Sequence, residues 1–435
     1  MAAVSLADLT TRELVVDLHI HSHYSRATSR NCTLEGLYAA AKIKGISVLG
    51  TGDIVHPLWL AECRGKLEVC EGGLLRLKPE LAANIDALLP PSVQNAEVYF
   101  VPTAEIATVY KKSGKTRKLH QLVVLSGLEA AERLQAELSK IGNIRADGRA
   151  ILSLDSKLLL ALLLRVDSAG LYIPAHIWTP WFGLFGSKSG FDSLQEAYEE
   201  LTPHIRAIET GLSSDPAMNA RIPQLDGVAI TSHSDAHSPQ KLGREATVLH
   251  AQNTYADIIG ALKTNDERLV GTIEFFPEEG KYFADGHRTC DVCFTPEETK
   301  AHGGICPVCK KPLVVGVNYR VSELADREFV QANQAKTTEY IIPLPEVIAE
   351  LFQVKFTTSK RVLAEYERVI TALGNEFAIL RTLPLATIAK ASPELAVAIE
   401  NIRTGKVVRK PGYDGVYGTI SALDKTTEPR KGPTT

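Results

Sequence analysis

The stretch DLHIHSHYS, Asp17 to Ser25, follows the apolar run Leu14-Val15-Val16 and carries three histidines at alternate positions. Side chains of a β-strand repeat every two residues, so His19, His21 and His23 would share a face if the strand ran on. The chain of 435 residues holds only twelve histidines in all. Spending three of them at the end of an apolar strand points to metal ligation, since neutral imidazole is a common metal ligand. A single histidine there could equally be a hydrogen-bonded core residue, so the reading needs partners elsewhere.

Such partners stand at the ends of other strand-like runs. GISVLGTGD ends in Asp53, with His56 three residues on, and VYFVPTAEIATVY carries Glu105. KLHQLVVLS opens with His120, LYIPAH ends in His176, and GVAITSHSDAH ends in Asp235 and His237, preceded by His233. Helical patterns fall between several runs, as in TLEGLYAAAKIK, where Thr33 can cap the first turn. This alternation predicts an α/β barrel or an open parallel sheet. In barrel enzymes the chemistry collects at the C-terminal strand ends, so residues far apart in sequence can converge. The segment around Glu105 and His120 reads instead as a β-hairpin, with Ser113-Gly114-Lys115 as its turn.

Mixed imidazole and carboxylate ligands suit zinc, manganese or iron better than calcium or magnesium. Glu105 is the carboxylate assigned to bridge two ions about 3.5–4 Å apart, an arrangement that activates water and clamps a phosphoryl oxygen. No serine or cysteine has a convincing base nearby in the sequence, which argues against covalent catalysis.

Composition bounds the alternatives. A net charge of -3 gives no global basic signature, so nucleic-acid contact must come from local patches. Hydrophobic content of 45% and charged content of 23% fit an ordinary globular protein of two or three domains. MAAVSLADLTTREL lacks a basic stretch ahead of a long apolar core, and no apolar run approaches the ~20 residues of a membrane span. A cytoplasmic location without membrane contact is therefore expected.

Seven cysteines is an odd number, and four form two tight pairs in CDVCFTPEETKAHGGICPVC. Cys290, Cys293, Cys306 and Cys309 can close a tetrahedral site for one structural zinc, against the alternatives of disulfides or redox thiols. Beyond it come helical patterns such as PLPEVIAELFQ and SKRVLAEYERVITALGNEFAILR, many of them preceded by proline.

Two basic segments and one aromatic loop stand out. YKKSGKTRKLH holds Lys111, Lys112, Lys115, Arg117 and Lys118 without an acidic residue, and it connects Glu105 to His120. It is either a solvated face or a phosphate-contacting turn over the site. Arg403, Lys406, Arg409 and Lys410 precede the Gly-rich PGYDGVYG, whose Tyr413 and Tyr417 could stack on a base. HIWTPWFGLFGSKSG places Trp178 and Trp181 just after His176, either as packing or as the wall of a pocket for an unstacked base.

These residues in this order resemble the polymerase and histidinol phosphatase (PHP) family of metal-dependent phosphoesterases. The similar parts are the HxH of DLHIHS, the GD of GTGDIVH, Glu105, His120, His176 and the DAH of SHSDAHSP. The resemblance implies a distorted (β/α)7 barrel with two or three ions at its C-terminal strand ends. By it, His19, His21, Glu105 and Asp235 would hold one ion, Glu105, His120 and His176 a second, and His237 would serve a third. Asp53 is counted with the ligands, and Asp235, Glu105 and Asp53 as the catalytic carboxylates. The family's second motif reads Asp-His, whereas Ile54 follows Asp53 here, and a further family histidine falls at Ala27. Two active-site ions are therefore expected: zinc, or else manganese or magnesium.

GTGDIVHPLW, the basic hairpin, HIWTPWFG, the cysteine module and PGYDGVYG extend the resemblance to a branch of this family that nicks DNA beside deaminated bases. The implied organisation is a barrel over 14–285, a zinc module over 286–325, a mainly helical DNA-binding domain over 326–420 and a disordered tail over 421–435. The implied activity is hydrolysis of the phosphodiester 5′ to uracil, hypoxanthine, xanthine or an abasic site by a two-metal mechanism. The implied partner is damaged DNA, with a sliding clamp as a possible second partner and a monomer as the working form. Two rivals remain: a small-molecule phosphatase of the histidinol phosphate type, and a DNA-binding scaffold without catalysis.

Overall fold

The computed structural model describes residues 11–327 and 336–423. Its centre is a ring of short strands. Arg12–Asp17, Val48–Gly50 and Tyr99–Val101 run parallel and hydrogen-bonded in that order. The hairpin Thr103–Lys112 and Lys115–Val124 follows, then Leu171–Pro174 antiparallel to its second arm. Ala207–Glu209 and Ala229–Thr231 pair in parallel. Leu269–Glu274 and Ala246–Ala251, mutually antiparallel, return the ring to Arg12–Asp17.

The alternation of side chains shows why these runs close up. Leu14, Val16, Val48, Tyr99, Val101, Leu122, Val124, Leu171, Ile173, Ala207, Ala229 and Leu249 form one buried apolar cluster. Strands around most of the ring thus send residues to a common interior, the exception being Thr103–Lys112, whose Ala104 and Ile106 join the outer cluster. Val15, Leu49, Phe100, Val123 and Tyr172 point the other way, into the cluster shared with the surrounding helices. The helix Tyr255–Thr264 plugs one end through Tyr255, Ile258, Ile259 and Leu262. The expected α/β barrel is present, distorted because its hydrogen bonding is broken into separate sheets.

Asp285–His287 and Val292–Phe294 form a small antiparallel pair that opens the cysteine module. The helices Leu344–Leu351, Lys360–Leu373, Leu385–Ala391 and Pro393–Arg403 then build the mainly helical C-terminal part. They are fastened to the barrel by a buried ion pair, Lys44 Nζ to Glu376 Oε2 at 2.7 Å. Two details depart from the sequence reading. Thr337–Tyr340 is a strand that pairs in parallel with Leu269–Glu274 and extends the barrel sheet. Ser421, assigned to the tail, closes the strand Thr419–Ser421 against Val408–Lys410. The rest of the expected tail, from 424 on, lies outside the described residues. No helix among them is long and apolar enough to cross a membrane.

Candidate metal centre

Three backbone positions at the strand ends take a left-handed conformation that costs energy for residues other than glycine: Asp53 (φ 45°), His176 (φ 30°) and Asp235 (φ 46°). Two glycines let the chain pass close by. A Cβ on Gly52 (φ 62°) would lie 2.3 Å from the Ile20 carbonyl, and one on Gly211 (φ 57°) would lie 2.3 Å from Cβ of His176. These turns aim side chains from five segments at one point.

There, His19, His21, Glu105 and Asp235 bring one ligand atom each within 4.8 Å of one another, and so do Glu105, His120 and His176. Glu105 belongs to both groups. Its Oε1 faces His176 Nε2 at 3.1 Å, His120 Nδ1 in close contact and His19 Nε2 at 3.6 Å. Its Oε2 faces His21 Nε2 at 3.4 Å. One carboxylate thus serves two sites, as a bridging ligand must.

The first two imidazoles are held from behind. His19 Nδ1 donates to Glu209 at 2.9 Å, and His21 Nδ1 to Asp53 Oδ1 at 3.0 Å. Both rings therefore present Nε2 to the centre, the arrangement in which outer carboxylates fix the tautomer of metal ligands. His19 Nε2 is buried and has no hydrogen-bond partner, although Glu105 and Asp235 oxygens lie 3.6 and 3.7 Å away. An orphaned ring nitrogen aimed at two carboxylates is what a divalent cation satisfies, so the residues present fit one.

The charges agree. Burial lowers His19 and His21, but Glu209 with Glu105 on one side and Asp53 with Asp235 on the other carry both well above the usual imidazole range. Burial raises Glu105, yet His120, His176 and His19 hold it well below the usual carboxylate range. Burial takes His120 down to about 4. Protons and a cation compete for the same ring nitrogens here.

Asp53 and His237, expected among the metal ligands, stand outside both ligand groups. Asp53 Oδ2 accepts from the Ser22 amide and hydroxyl at 2.7 Å each and from the Ser25 hydroxyl at 2.9 Å, while Oδ1 holds His21. Both oxygens are engaged, and Asp53 positions His21. His237 turns its Nδ1 to the Asp235 carbonyl at 2.9 Å and packs on the His21 ring at 4.4 Å, outside both ligand groups. His56 and His23 likewise stand outside both ligand groups. His56 Nε2 donates to the Arg145 carbonyl and His23 Nδ1 to that of Cys32.

Sequence reading missed two members. Glu209 ends the apolar strand Ala207–Glu209, the same signal that singled out Asp53 and His176. Besides His19, its Oε2 accepts the His176 amide at 2.7 Å, so one buried carboxylate fixes a ligand of each group. Arg149 donates to Glu105 Oε2 at 3.0 Å from a loop with no periodic signal. Glu209→Gln should lower metal affinity by about 10- to 100-fold, the usual cost of losing a carboxylate behind a histidine ligand. A metal titration giving an unchanged affinity would remove Glu209 from this role.

The residues assigned to DNA are divided by the structure. Lys111 and Lys115 are exposed on the hairpin. Lys112 instead pairs with Glu199 at 2.7 Å, and Arg117 is buried, donating to the Gly190 carbonyl with its guanidinium 4.0 Å over the Phe191 ring. Strand alternation accounts for Arg117, which points inward between exposed Thr116 and half-buried Lys118. Trp178 is also corrected, being buried against Phe185 and donating from Nε1 to Asn219 at 2.8 Å. Trp181 is 55% exposed, with Lys118 Nζ 5.2 Å above its ring, and its neighbour Phe182 packs 4.5 Å from His120. In the Gly-rich segment Tyr417 is 70% exposed and Lys410 is open. Tyr413 is tied to Asp291 at 2.7 Å, and Arg409 to Glu278 at 2.9 Å.

The cysteine module also differs in one ligand. Cys290, Cys306 and Cys309 gather with His287, and Cys293 is exposed. Val292 faces the small core with Cys306 and Leu313, so Cys293, next along the strand, points away. His287 stands opposite Val292 in the antiparallel register and shares its face. Three thiols and one imidazole are a donor set for a closed structural zinc site.

The fold and this site define a barrel protein with a candidate histidine–carboxylate metal centre, a candidate zinc module and a helical C-terminal part. Over 94% of its length the chain is similar to the lesion-specific endonuclease PfuEndoQ of Pyrococcus furiosus, with a TM-score of 0.81, 28% identity and 95% of that chain covered. Endonuclease Q in complex with a 27-mer duplex substrate bearing an abasic lesion at the active site is matched at a TM-score of 0.79, again with 28% identity and 94% of this chain, and 96% of that one. The architecture is thus of the endonuclease Q type. YqxK of Bacillus subtilis (strain 168) is 28% identical over 432 residues, 94% of this chain and 99% of the relative. MJ0043 of Methanocaldococcus jannaschii is 32% identical over 264 residues, which are 58% of this chain but only 32% of that longer protein. The family described as MJ0043 C-terminal domain matches residues 343–406.

Proposed function

We propose that this protein is a metal-dependent DNA repair endonuclease that hydrolyses the phosphodiester 5′ to a deaminated base or an abasic site. The observation that carries the reading is the pair of ligand groups sharing Glu105 in a chain similar over 94% of its length to a lesion-specific endonuclease. Two divalent ions, when bound, lower the pKa of a water and stabilise charge on phosphoryl oxygens. The chain's own part is to hold them: Glu105 shared between both groups, Asp235 and the four histidines around it, and Glu209 and Asp53 fixing the rings. Metal chemistry without a protein nucleophile suits hydrolysis of a phosphate ester.

Damaged DNA is the proposed partner, and Lys111, Lys115, Lys410 and Tyr417 are the exposed residues proposed to meet it. Phosphate contacts set affinity, whereas the lesion must be told apart by an unstacked nucleotide. Trp181, exposed beside the Phe182 that touches His120, is proposed to stack on it. A monomer that also meets a sliding clamp remains part of the proposal.

The test is one assay: metal-loaded protein with a uracil-, hypoxanthine- or abasic-site duplex, its undamaged control and a phosphate monoester. Nicking confined to the damaged duplexes, with a 5′-phosphate on the fragment carrying the lesion, is the expected result. Cleavage of the monoester alone would favour the small-molecule phosphatase, and binding without cleavage the scaffold.

Trp181→Ala should lower nicking of deaminated-base substrates by about ten- to a hundred-fold, the worth of one base-stacking contact. Hydrolysis of bis-p-nitrophenyl phosphate should hardly change. A parallel loss of both activities would make Trp181 a packing residue. Trp178→Ala is the contrast: it removes a buried ring and should cost about 3–5 kcal/mol of stability.

A further inference from the structure

The geometry points to Arg149 as a phosphate-holding residue of the metal centre, an inference that rests on the phosphodiesterase reading above. Among the described residues it is the one lysine or arginine whose side chain pairs with a carboxylate of either ligand group, at 3.0 Å from Glu105 Oε2. Its Nε is buried and has no hydrogen-bond partner. A guanidinium thus reaches the rim of the centre with a donor unspent.

The loop that carries it is pinned in place. Asp147 Oδ1 accepts from the amides of Arg26 and Arg149, each at 3.2 Å. The Gly148 amide donates to the Tyr24 carbonyl at 3.0 Å, and a Cβ at Gly148 would lie 2.4 Å from Asp53 Oδ2 and 2.5 Å from Ser25 Oγ. The loop is therefore pressed against the carboxylate that positions His21. Arg26 and Arg145 stand exposed on the same two segments, so the rim is basic beyond Arg149 itself.

Charge gives the guanidinium its function. Its pairing with Glu105 neutralises one carboxylate charge. Two divalent ions, when bound, would outweigh Glu105 and Asp235 together, and a cation beside them would then gain most from an anion shared with the ions. A phosphodiester is such an anion, and arginine can meet two of its oxygens with parallel N–H donors.

The experiment compares Arg149→Gln and Arg149→Lys with the unsubstituted full chain, all metal-loaded. Inorganic phosphate is titrated by calorimetry, metal content is measured, and hydrolysis of bis-p-nitrophenyl phosphate and of an abasic-site duplex is followed. Arg149→Gln should weaken phosphate binding and lower kcat/KM on both substrates about ten- to a hundred-fold, with metal content unchanged. Arg149→Lys should fall between, since it keeps the charge and loses the fork. Phosphate affinity equal to that of the unsubstituted protein overturns the assignment. So does a loss of metal in Arg149→Gln whose activity excess metal restores, because Arg149 would then only prop Glu105. If the unsubstituted protein leaves the abasic duplex intact, the nuclease reading fails, while the phosphate titration still judges Arg149 by itself.

Discussion

Glu105→Gln should leave the protein folded and lower hydrolysis on the order of 10³-fold or more, with both metal ions lost together. The substitution keeps the side chain's size and one acceptor oxygen, so the barrel interior has no reason to rearrange. What it removes is the charge at the only position common to the two ligand groups. His120 and His176 would keep no carboxylate partner in their group, and His19 and His21 would keep only Asp235. The four imidazoles are also held in place by contacts to Glu105, so the empty site would be looser as well. Asp235→Asn is the control that separates shared from unshared ligation. It should cost the ion of the first group, leave metal at the Glu105, His120 and His176 group, and leave DNA affinity largely intact, since affinity comes from basic residues elsewhere. If Glu105→Gln loses no more metal than Asp235→Asn, the two groups do not share their carboxylate and the two-ion reading falls.

Much of this centre was legible because strand ends advertise themselves. His19, His21, His176 and Asp235 each close an apolar run, and polar residues there are dear unless something uses them. Glu105 and His120 were legible through the hairpin, whose register sets Glu105 opposite Leu122 and Ala107 opposite His120. What stayed hidden is the difference between a ligand and the residue behind it. Asp53 and Glu209 have a similar sequence appearance, a carboxylate at or just past the end of a short apolar strand, and the turns at Gly52 and Gly211 decide which atoms they reach. No periodicity reports such a turn. The same limit explains Arg117, Lys112 and Trp178. A basic run or an aromatic loop shows which residues are near a site, while alternation and local ion pairs decide which of them face it. Thr337–Tyr340 escaped for another reason: four residues that extend an existing sheet leave hardly any pattern of their own.

The cysteine module supplies the other large effect. Cys306→Ser should remove about one zinc ion per chain and unfold the segment around it, because a small module of this kind takes its folding energy from the metal. The core that would remain is Val292 and Leu313 with the partly covered Phe294, too little apolar surface to hold 285–313 in place. Burial opposes ionisation of Cys306, but the amides of Cys309 and Val308 and the neighbouring thiols bring it below the usual thiol range, towards the thiolate that zinc requires. His287→Ala should have the same outcome as Cys306→Ser, whereas Cys293→Ser should keep its zinc, since the Cys293 side chain points away from the other three thiols. Metal analysis of the three variants therefore distinguishes the Cys3His set from the four-cysteine set that the spacing suggests: loss of zinc in Cys293→Ser with retention in His287→Ala would restore the latter. The consequence extends past the module. Asp291 accepts the Tyr413 hydroxyl, Asp414 Oδ2 accepts the Arg288 amide at 2.8 Å, and the Gly412 carbonyl accepts the Ala284 amide at 2.9 Å. The Gly-rich segment that presents Tyr417 is thus tied to the module as well as to residues 278–281, whose carbonyls accept the Gly412, Gly415 and Gly418 amides. Loss of zinc should weaken DNA binding while hydrolysis of bis-p-nitrophenyl phosphate persists, because the metal centre lies in the barrel and owes none of its ligands to the module.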